Sequence, residues 1–289
     1  MKIAIASGKG GTGKTTLAVN LAKYASEGSN VLLADLDVEE PNSGIFLHGE
    51  LLHHKTMKRM IPEWQEGSCI SCGKCREWCR FNAIIQLGET ILVLPELCHS
   101  CYACSELCPA GALKMVPEPL GELSYSMIDD LHFIESRLNI GIEQSVPLIS
   151  QTIDYLAANC SGKEFEFWDS PPGTSCPLLA VTYNADFVIL ATEPTPFGLY
   201  DLNLAVDAME LIRKPMAVVI NRYGIGNDDV LKFCQERGLP IWAKIPNQRS
   251  IAELYARGEL IYPSVAEFRR ELDEILYRLR SLKKESCAK

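Results

Sequence analysis

The sequence predicts an α/β chain: a mostly parallel sheet with helices on both faces, interrupted by one small α+β domain. Three observations lead there. Apolar runs suited to buried strands alternate with helical patterns in both the N-terminal and the C-terminal parts of the chain. The first run, Ile3-Ala4-Ile5-Ala6, feeds a glycine-rich loop that opens a helix. From about Leu52 to Pro119 the alternation stops, and eight of the twelve cysteines crowd there into two matched runs. The expected division is 1–55 and 119–289 for the α/β domain, with 56–118 as the insert.

A length of 289 residues leaves ample room for a buried core and for two domains. Hydrophobic content of 47 % with 22 % charged residues is ordinary for a globular chain. The net charge of −9 argues against a broad nucleic-acid-binding surface, so no nucleic-acid partner is expected. No apolar run approaches a membrane span, and the chain begins directly with a strand, so a cytoplasmic address is expected. In that setting crowded cysteines read as metal ligands rather than disulfides.

Gly8-Lys9-Gly10-Gly11-Thr12-Gly13-Lys14-Thr15-Thr16 fits G-x-x-x-x-G-K-[ST], the phosphate-binding P-loop. A triphosphate needs many N–H groups converging on it, and Gly8, Gly10, Gly11 and Gly13 let the backbone approach closely. Thr12 and Thr16 complete the cradle. The helix opening at Lys14 adds unpaired N–H groups and its positive dipole end. Lys14 is expected to reach the β- and γ-phosphates of ATP, and the Thr15 hydroxyl to ligate Mg²⁺. Lys9, before the paired glycines, narrows the motif: the loop resembles the deviant P-loop of the MinD/ParA/Mrp family of ATPases. The resemblance implies a P-loop NTPase fold, ATP hydrolysis and a homodimer. It makes Lys9 a catalytic candidate beside Lys14, crossing the dimer interface to the partner's nucleotide.

After the P-loop helix (about Lys14 to Ser26), Val31-Leu32-Leu33-Ala34 reads as a buried strand running into Asp35-Leu36-Asp37. Carboxylates at the carboxyl end of a parallel strand stand where α/β sheets bind ligands. By resemblance Asp37 lies in switch I and positions the attacking water; Asp35 is the weaker candidate, near Mg²⁺.

The cysteine runs are Cys69, Cys72, Cys75, Cys79 and Cys98, Cys101, Cys104, Cys108. Both have the bacterial ferredoxin spacing C-x₂-C-x₂-C-x₃-C, and the second keeps its trailing Pro109. Three thiolates at this spacing wrap a cubane while the fourth ligates the neighbouring cluster. Cys69, Cys72, Cys75 and Cys108 are therefore expected on one 4Fe-4S cluster, and Cys98, Cys101, Cys104 and Cys79 on the other. Structural zinc, the competitor, requires neither the third C-x₂-C step nor the cross-paired fourth ligand. Arg80 stands where proline usually follows the fourth cysteine. Ile84-Ile85 and Ile91-Leu92-Val93 predict a hairpin between the runs.

Beyond Pro119, Gly121 to Ile140 suggests a pair of strands and Pro147 to Cys160 a helix. Phe165-Glu166-Phe167-Trp168-Asp169, followed by Pro171-Pro172-Gly173, resembles Walker B plus switch II of the MinD family. That implies Mg²⁺ held by Asp169 and a γ-phosphate sensed by the Gly173 N–H. Cys176, three residues on, reads first as a buried structural cysteine and second as a reactive or partner-facing thiol. Cys160, Cys234 and Cys287 read as structural or incidental, and the five histidines form no catalytic set.

Ala185 to Ala191 predicts a strand, Leu199 to Leu211 a helix, Met216 to Ile220 a strand and Pro240 to Ile245 another. By resemblance Asn221 reads the adenine edge. Pro246-Asn247 falls at the adenine-side loop of the family, with a surface turn as the alternative. The final helix, about Val265 to Leu282, carries Phe268, Leu272, Ile275, Leu276, Leu279 and Leu282 at helical spacing. Core packing is the first reading. A membrane-lying helix is the second, favoured by Arg278, Arg280, Lys283 and Lys284, and no membrane partner is expected.

The whole chain thus resembles the MinD-superfamily ATPases with an inserted two-cluster ferredoxin domain. That reading implies an Mg-ATP-dependent ATPase coupled to electron transfer or to metallocluster assembly on a partner protein. A ParA/MinD-like positioning or scaffold protein with structural clusters is the alternative.

Overall fold

In the computed structural model the described residues are 1–287, with side chains described for 1–284. The side chain of Cys287 lies outside that range. Contacts divide the chain into two units. Met1–His54, Leu123–Arg137 and Ile149–Lys289 form the first, and Lys55–Glu122 with Leu138–Leu148 the second.

The first unit is built on seven neighbouring parallel strands. These are β1 (Lys2–Ala6), β2 (Val31–Asp35), β7 (Leu131–Leu138), β8 (Phe165–Asp169), β9 (Phe187–Thr192), β10 (Met216–Tyr223) and β11 (Ile241–Pro246). They lie in the order β11-β10-β9-β1-β8-β2-β7, every adjacent pair parallel. The sheet order continues through β6 (Leu113–Ile128) to β3 (Glu50–Trp64), two long strands whose sequences pass from one unit to the other. Parallel strands covered on both faces have no solvent side. That explains why β2 and β9 are buried at every position.

The first crossover is α1 (Lys14–Ser26), whose Leu17, Ala18, Leu21 and Ala22 enter the core. Asn20, also buried, ties α1 to the far end of the chain: its Oδ1 accepts the N–H groups of Ile261 and Tyr262 at 2.7 and 3.2 Å. The remaining helices are α4 (Ser145–Asn159), α5 (Cys176–Asn184), α6 (Pro196–Leu211), α7 (Asp229–Glu236), α8 (Arg249–Ala256) and α9 (Ala266–Cys287). Phe268, Leu272, Ile275, Leu276 and Leu279 of α9 are buried in the main core, so its apolar stripe is already packed. Each such side chain contributes about 1.5–3 kcal/mol by burial. Among the described residues no helix is long and apolar enough to cross a membrane.

The second unit has a two-stranded antiparallel hairpin, β4 (Ile84–Leu87) with β5 (Thr90–Val93), paired from Ile84↔Val93 to Leu87↔Thr90. Two short helices, α2 (Lys74–Trp78) and α3 (Ala103–Glu106), each begin two residues after the second cysteine of a run and contain its third. One of its buried clusters joins Ile84, Ile91, Cys104 and Leu113, with Trp64, Cys69, Cys75, Cys79 and Val93 packed around them. Sulfur therefore takes up much of the interior that aliphatic side chains fill in an ordinary core.

Several boundaries differ from the sequence reading. β3 had no counterpart there, because most of its side chains are exposed and its apolar residues do not alternate. α6 begins at Pro196 rather than Leu199, since Thr195 caps it by accepting the Gly198 N–H at 3.0 Å.

Candidate functional site

The carboxyl ends of β1, β2, β8, β9 and β10 bring the sequence-selected groups of the first unit together. β1 delivers the P-loop. Gly8 has no space for a Cβ, which would strike the Asp201 carbonyl of α6. Gly13, at φ +90°, caps α1 in the left-handed region, and a Cβ there would strike the Asn221 carboxamide. The other loop glycines face open space. Within the loop the Ser7 hydroxyl donates to the Lys9 carbonyl at 2.5 Å.

Lys14 is buried, and its ammonium is shifted below the usual lysine range by loss of water, against the pull of Asp169, Asp37 and Asp35. These three carboxylates play different parts. Asp35 is fully buried and accepts three backbone N–H groups: Asp37 at 3.1 Å on Oδ1, Asn42 at 3.0 Å and Ser43 at 2.9 Å on Oδ2. It gathers the loop that carries Asp37, a role the sequence reading did not give it. Asp169, its register partner on β8, is equally buried, yet neither carboxylate oxygen has a hydrogen-bond partner. Burial raises its pKa, while the neighbouring Thr15 hydroxyl and Lys14 ammonium oppose the shift. Asp37 is half-buried, and burial, opposed by Lys14, lifts its carboxyl to about 6.

Two buried acids and one orphaned oxygen pair beside a P-loop form a donor set that a divalent cation suits. Hard oxygen ligands with no protein partner are the groups Mg²⁺ takes. The Thr15 side chain neighbours Asp169 there.

Gly173 follows β8, and its N–H donates to the Ser7 carbonyl at 3.1 Å. Asn221 lies at the end of β10; its Nδ2 donates to the Thr12 carbonyl at 2.8 Å, and its Oδ1 accepts the Arg222 N–H at 2.9 Å. Asn221 thereby clamps the P-loop, a contact without a local sequence signal. Asn247, just past Pro246 on the adjacent strand, donates its N–H to the Tyr223 carbonyl at 2.9 Å. Lys9 stands 4.0 Å from Glu193, a buried acid that sequence reasoning passed over.

Cys176 corrects its first reading: it is exposed, at the first position of α5, not buried. Cys160 and Cys234 are buried, as structural cysteines are.

In the second unit the eight cysteines separate into two cavities. Cys69, Cys72, Cys75 and Cys108 line one, together with Trp64, Ile91 and Leu113. Cys79, Cys98, Cys101 and Cys104 line the other, with Phe81, His99 and Met115. Each cavity takes three cysteines from one run and the fourth from the other. The backbone repeats as well. Ser71 and Ser100, Gly73 and Tyr102, and Asn82 and Gly111 all adopt positive φ at equivalent positions of the two runs. The Ala83 N–H donates to Cys79 Sγ and the Ala112 N–H to Cys108 Sγ, both at 3.3 Å.

Burial raises Cys75, Cys98 and Cys104, the last to about 11. Thiolates there need a positive centre to become stable, and iron supplies one. Thiol sulfurs arranged around an open space suit a cubane, whose irons sit between them. Among the described residues no group of three or more His, Cys, Asp or Glu converges on a single-ion position.

Comparison with known proteins extends these observations. A family model described as the CobQ/CobB/MinD/ParA nucleotide binding domain matches residues 3–261. Uncharacterized protein MJ0579 of Methanocaldococcus jannaschii is 31% identical over 90% of this chain and 90% of its own length. An iron-sulfur cluster carrier protein of Pyrococcus horikoshii is 23% identical over 98% of this chain and 88% of its own. Among solved structures, the Pyrococcus furiosus cell division ATPase MinD superposes with a TM-score of 0.59 at 18% identity. That match covers 96% of this chain and 98% of the other, and it shows a shared fold.

Proposed function

The chain belongs to the CobQ/CobB/MinD/ParA nucleotide-binding family, and from that premise we propose an Mg²⁺-dependent ATPase that carries two 4Fe-4S clusters. ATP binding and hydrolysis would be coupled to electron transfer or to metallocluster assembly on a partner protein. The observation that carries the proposal is the sorting of eight cysteines into two four-cysteine cavities on a P-loop chain.

At the nucleotide site the P-loop N–H groups bind the phosphates, with Gly8 through Thr16 as the cradle and Lys14 as its fixed charge. Thr15 and Asp169 hold Mg²⁺, which neutralises phosphate charge when bound. Asp37 orients the attacking water, and the three N–H bonds to Asp35 hold its loop in place. Gly173, now bonded to Ser7, is the N–H available to exchange onto a γ-phosphate. Asn221, Pro246 and Asn247 stand on the base side. Lys9, which pairs with Glu193 of its own chain, would act across a homodimer once it is released from that pair.

At the second unit Cys69, Cys72, Cys75 and Cys108 hold one cluster and Cys98, Cys101, Cys104 and Cys79 the other. Bound clusters supply one-electron chemistry or a transferable inorganic core. The name of the Pyrococcus horikoshii relative, iron-sulfur cluster carrier, supports an output directed at another protein.

The test is Mg-ATP turnover by anaerobically prepared protein beside Lys14→Ala and Asp37→Asn. Steady hydrolysis that falls at least a hundredfold in both variants is expected. Turnover unaffected by either change removes the proposed site.

A further inference from the structure

Glu193 follows β9 directly and sits between the P-loop and the end of β10. Its side chain is 8% exposed, Oε2 lies 4.0 Å from Lys9 Nζ, and Oε1 lies 2.9 Å from Arg222 Nη1. Oε1 is buried and has no partner with hydrogen-bond geometry, so the Arg222 contact is held by charge alone. The backbone around it is fixed. The Glu193 carbonyl accepts the Thr195 N–H at 2.8 Å, and Gly198 packs against that carbonyl with no space for a Cβ.

A rigid backbone thus carries a loosely held carboxylate beside a cation of the phosphate loop. Lys9 makes the longer of the two contacts, 4.0 Å against 2.9 Å for Arg222, and so the weaker one. Nucleotide phosphate carries several negative charges against the single charge of Glu193, and at these separations Coulomb attraction decides which anion holds the ammonium. Arg222, closer to the other oxygen, remains to neutralise the carboxylate after Lys9 has gone.

We propose that Glu193 is the counter-ion Lys9 gives up when nucleotide phosphate enters the P-loop, so that Glu193 sets the nucleotide affinity of the site. This rests on the reading of the loop as an ATP site and adds a positioning residue to it. No bond is made or broken; one ion pair replaces another.

Titration calorimetry with Mg-ADP on the full chain tests it, using wild type, Glu193→Gln, Lys9→Ala and the double variant. Glu193→Gln should bind on the order of tenfold more tightly, because Lys9 is already released. In the Lys9→Ala background the same change should have no effect. Glu193→Asp, which keeps the charge but draws it back, should tighten binding less, and it serves as second probe should the amide fail to fold. Equal tightening with and without Lys9 would show general repulsion and overturn the exchange, as would unchanged affinity in Glu193→Gln. Failure of wild type to bind Mg-ADP would instead remove the ATP reading beneath it.

Discussion

Asp35 and Asp169 face each other in register on adjacent parallel strands, both buried, and only Asp35 is satisfied. The strand pairing fixes their proximity; the loop after Asp35 decides the difference. Three N–H groups stabilise one carboxylate, and the other keeps its oxygens for something the protein itself does not supply.

The unsatisfied acid should weaken the metal-free protein. Its folded pKa is raised, so the folded state binds more protons than the unfolded chain above the ordinary aspartate value of 3.8. Stability therefore declines as pH rises through the acidic range toward neutrality. Asp169→Asn should raise the thermal stability of the metal-free protein near pH 8 by about 1–2 kcal/mol while removing Mg-nucleotide binding. Melting curves of both proteins from pH 5.5 to 8 show the outcome; equal slopes with pH contradict it.

As the proposed water-orienting acid, Asp37 should give the hydrolytic step its own pH limb. With the carboxyl lifted to about 6, the ionised form is lost as pH falls through that value. ATPase rate should fall below pH 6 with nucleotide affinity retained. Asp37→Asn should be slow at every pH and lack this limb.

Gly13→Ala should abolish nucleotide binding without unfolding the chain. The added methyl meets the Asn221 carboxamide at a positive φ, which costs about 1–3 kcal/mol and displaces the clamp on Thr12. Gly10→Ala, where the Cβ meets open space, should bind measurably better than Gly13→Ala. Calorimetry on the two variants ranks them.

The second unit should lose its structure when the proposed clusters are removed. Among the described residues its apolar interior is made of scattered small groups, and Cys98 and Cys104 are themselves part of what is buried. After chelation, amide exchange in Lys55–Glu122 should accelerate to unfolded rates, while β1, β8 and β9 stay protected. Protection unchanged in both ranges would mean the thiol sites are not structural.

Cys79→Ser separates the cross-paired arrangement from a run-by-run one. Cys79 lies in the first run but lines the cavity of the second. The variant should lose the cluster of Cys98, Cys101 and Cys104 and keep that of Cys69, Cys72 and Cys75, as read from iron content and the reduced-state EPR spectrum.

Where sequence spacing alone encodes geometry, the sequence was legible. The P-loop and the cysteine runs are local motifs, and the buried parallel strands are continuous apolar runs such as Val31-Leu32-Leu33-Ala34. Side chains that act across strands were not. Asn221 and Thr12 are remote in sequence and meet because β10 ends beside the loop. Glu193 reads as a loop acid until β1 and β9 are paired. Asp35 could not be told from a metal ligand without its three N–H donors. β3 escaped because its side chains are largely exposed and carry no period-2 pattern, and α7 and α8 because each is only eight residues long.

Protein purified without oxygen, with iron and sulfide counted and its EPR spectrum recorded before and after Mg-ATP, tests the coupling of nucleotide and clusters most directly. Two 4Fe-4S clusters predict about eight irons and eight sulfides per chain, and at least one reduced-state signal that shifts with Mg-ATP. A colourless, iron-free chain, or spectra identical with and without nucleotide, would contradict it.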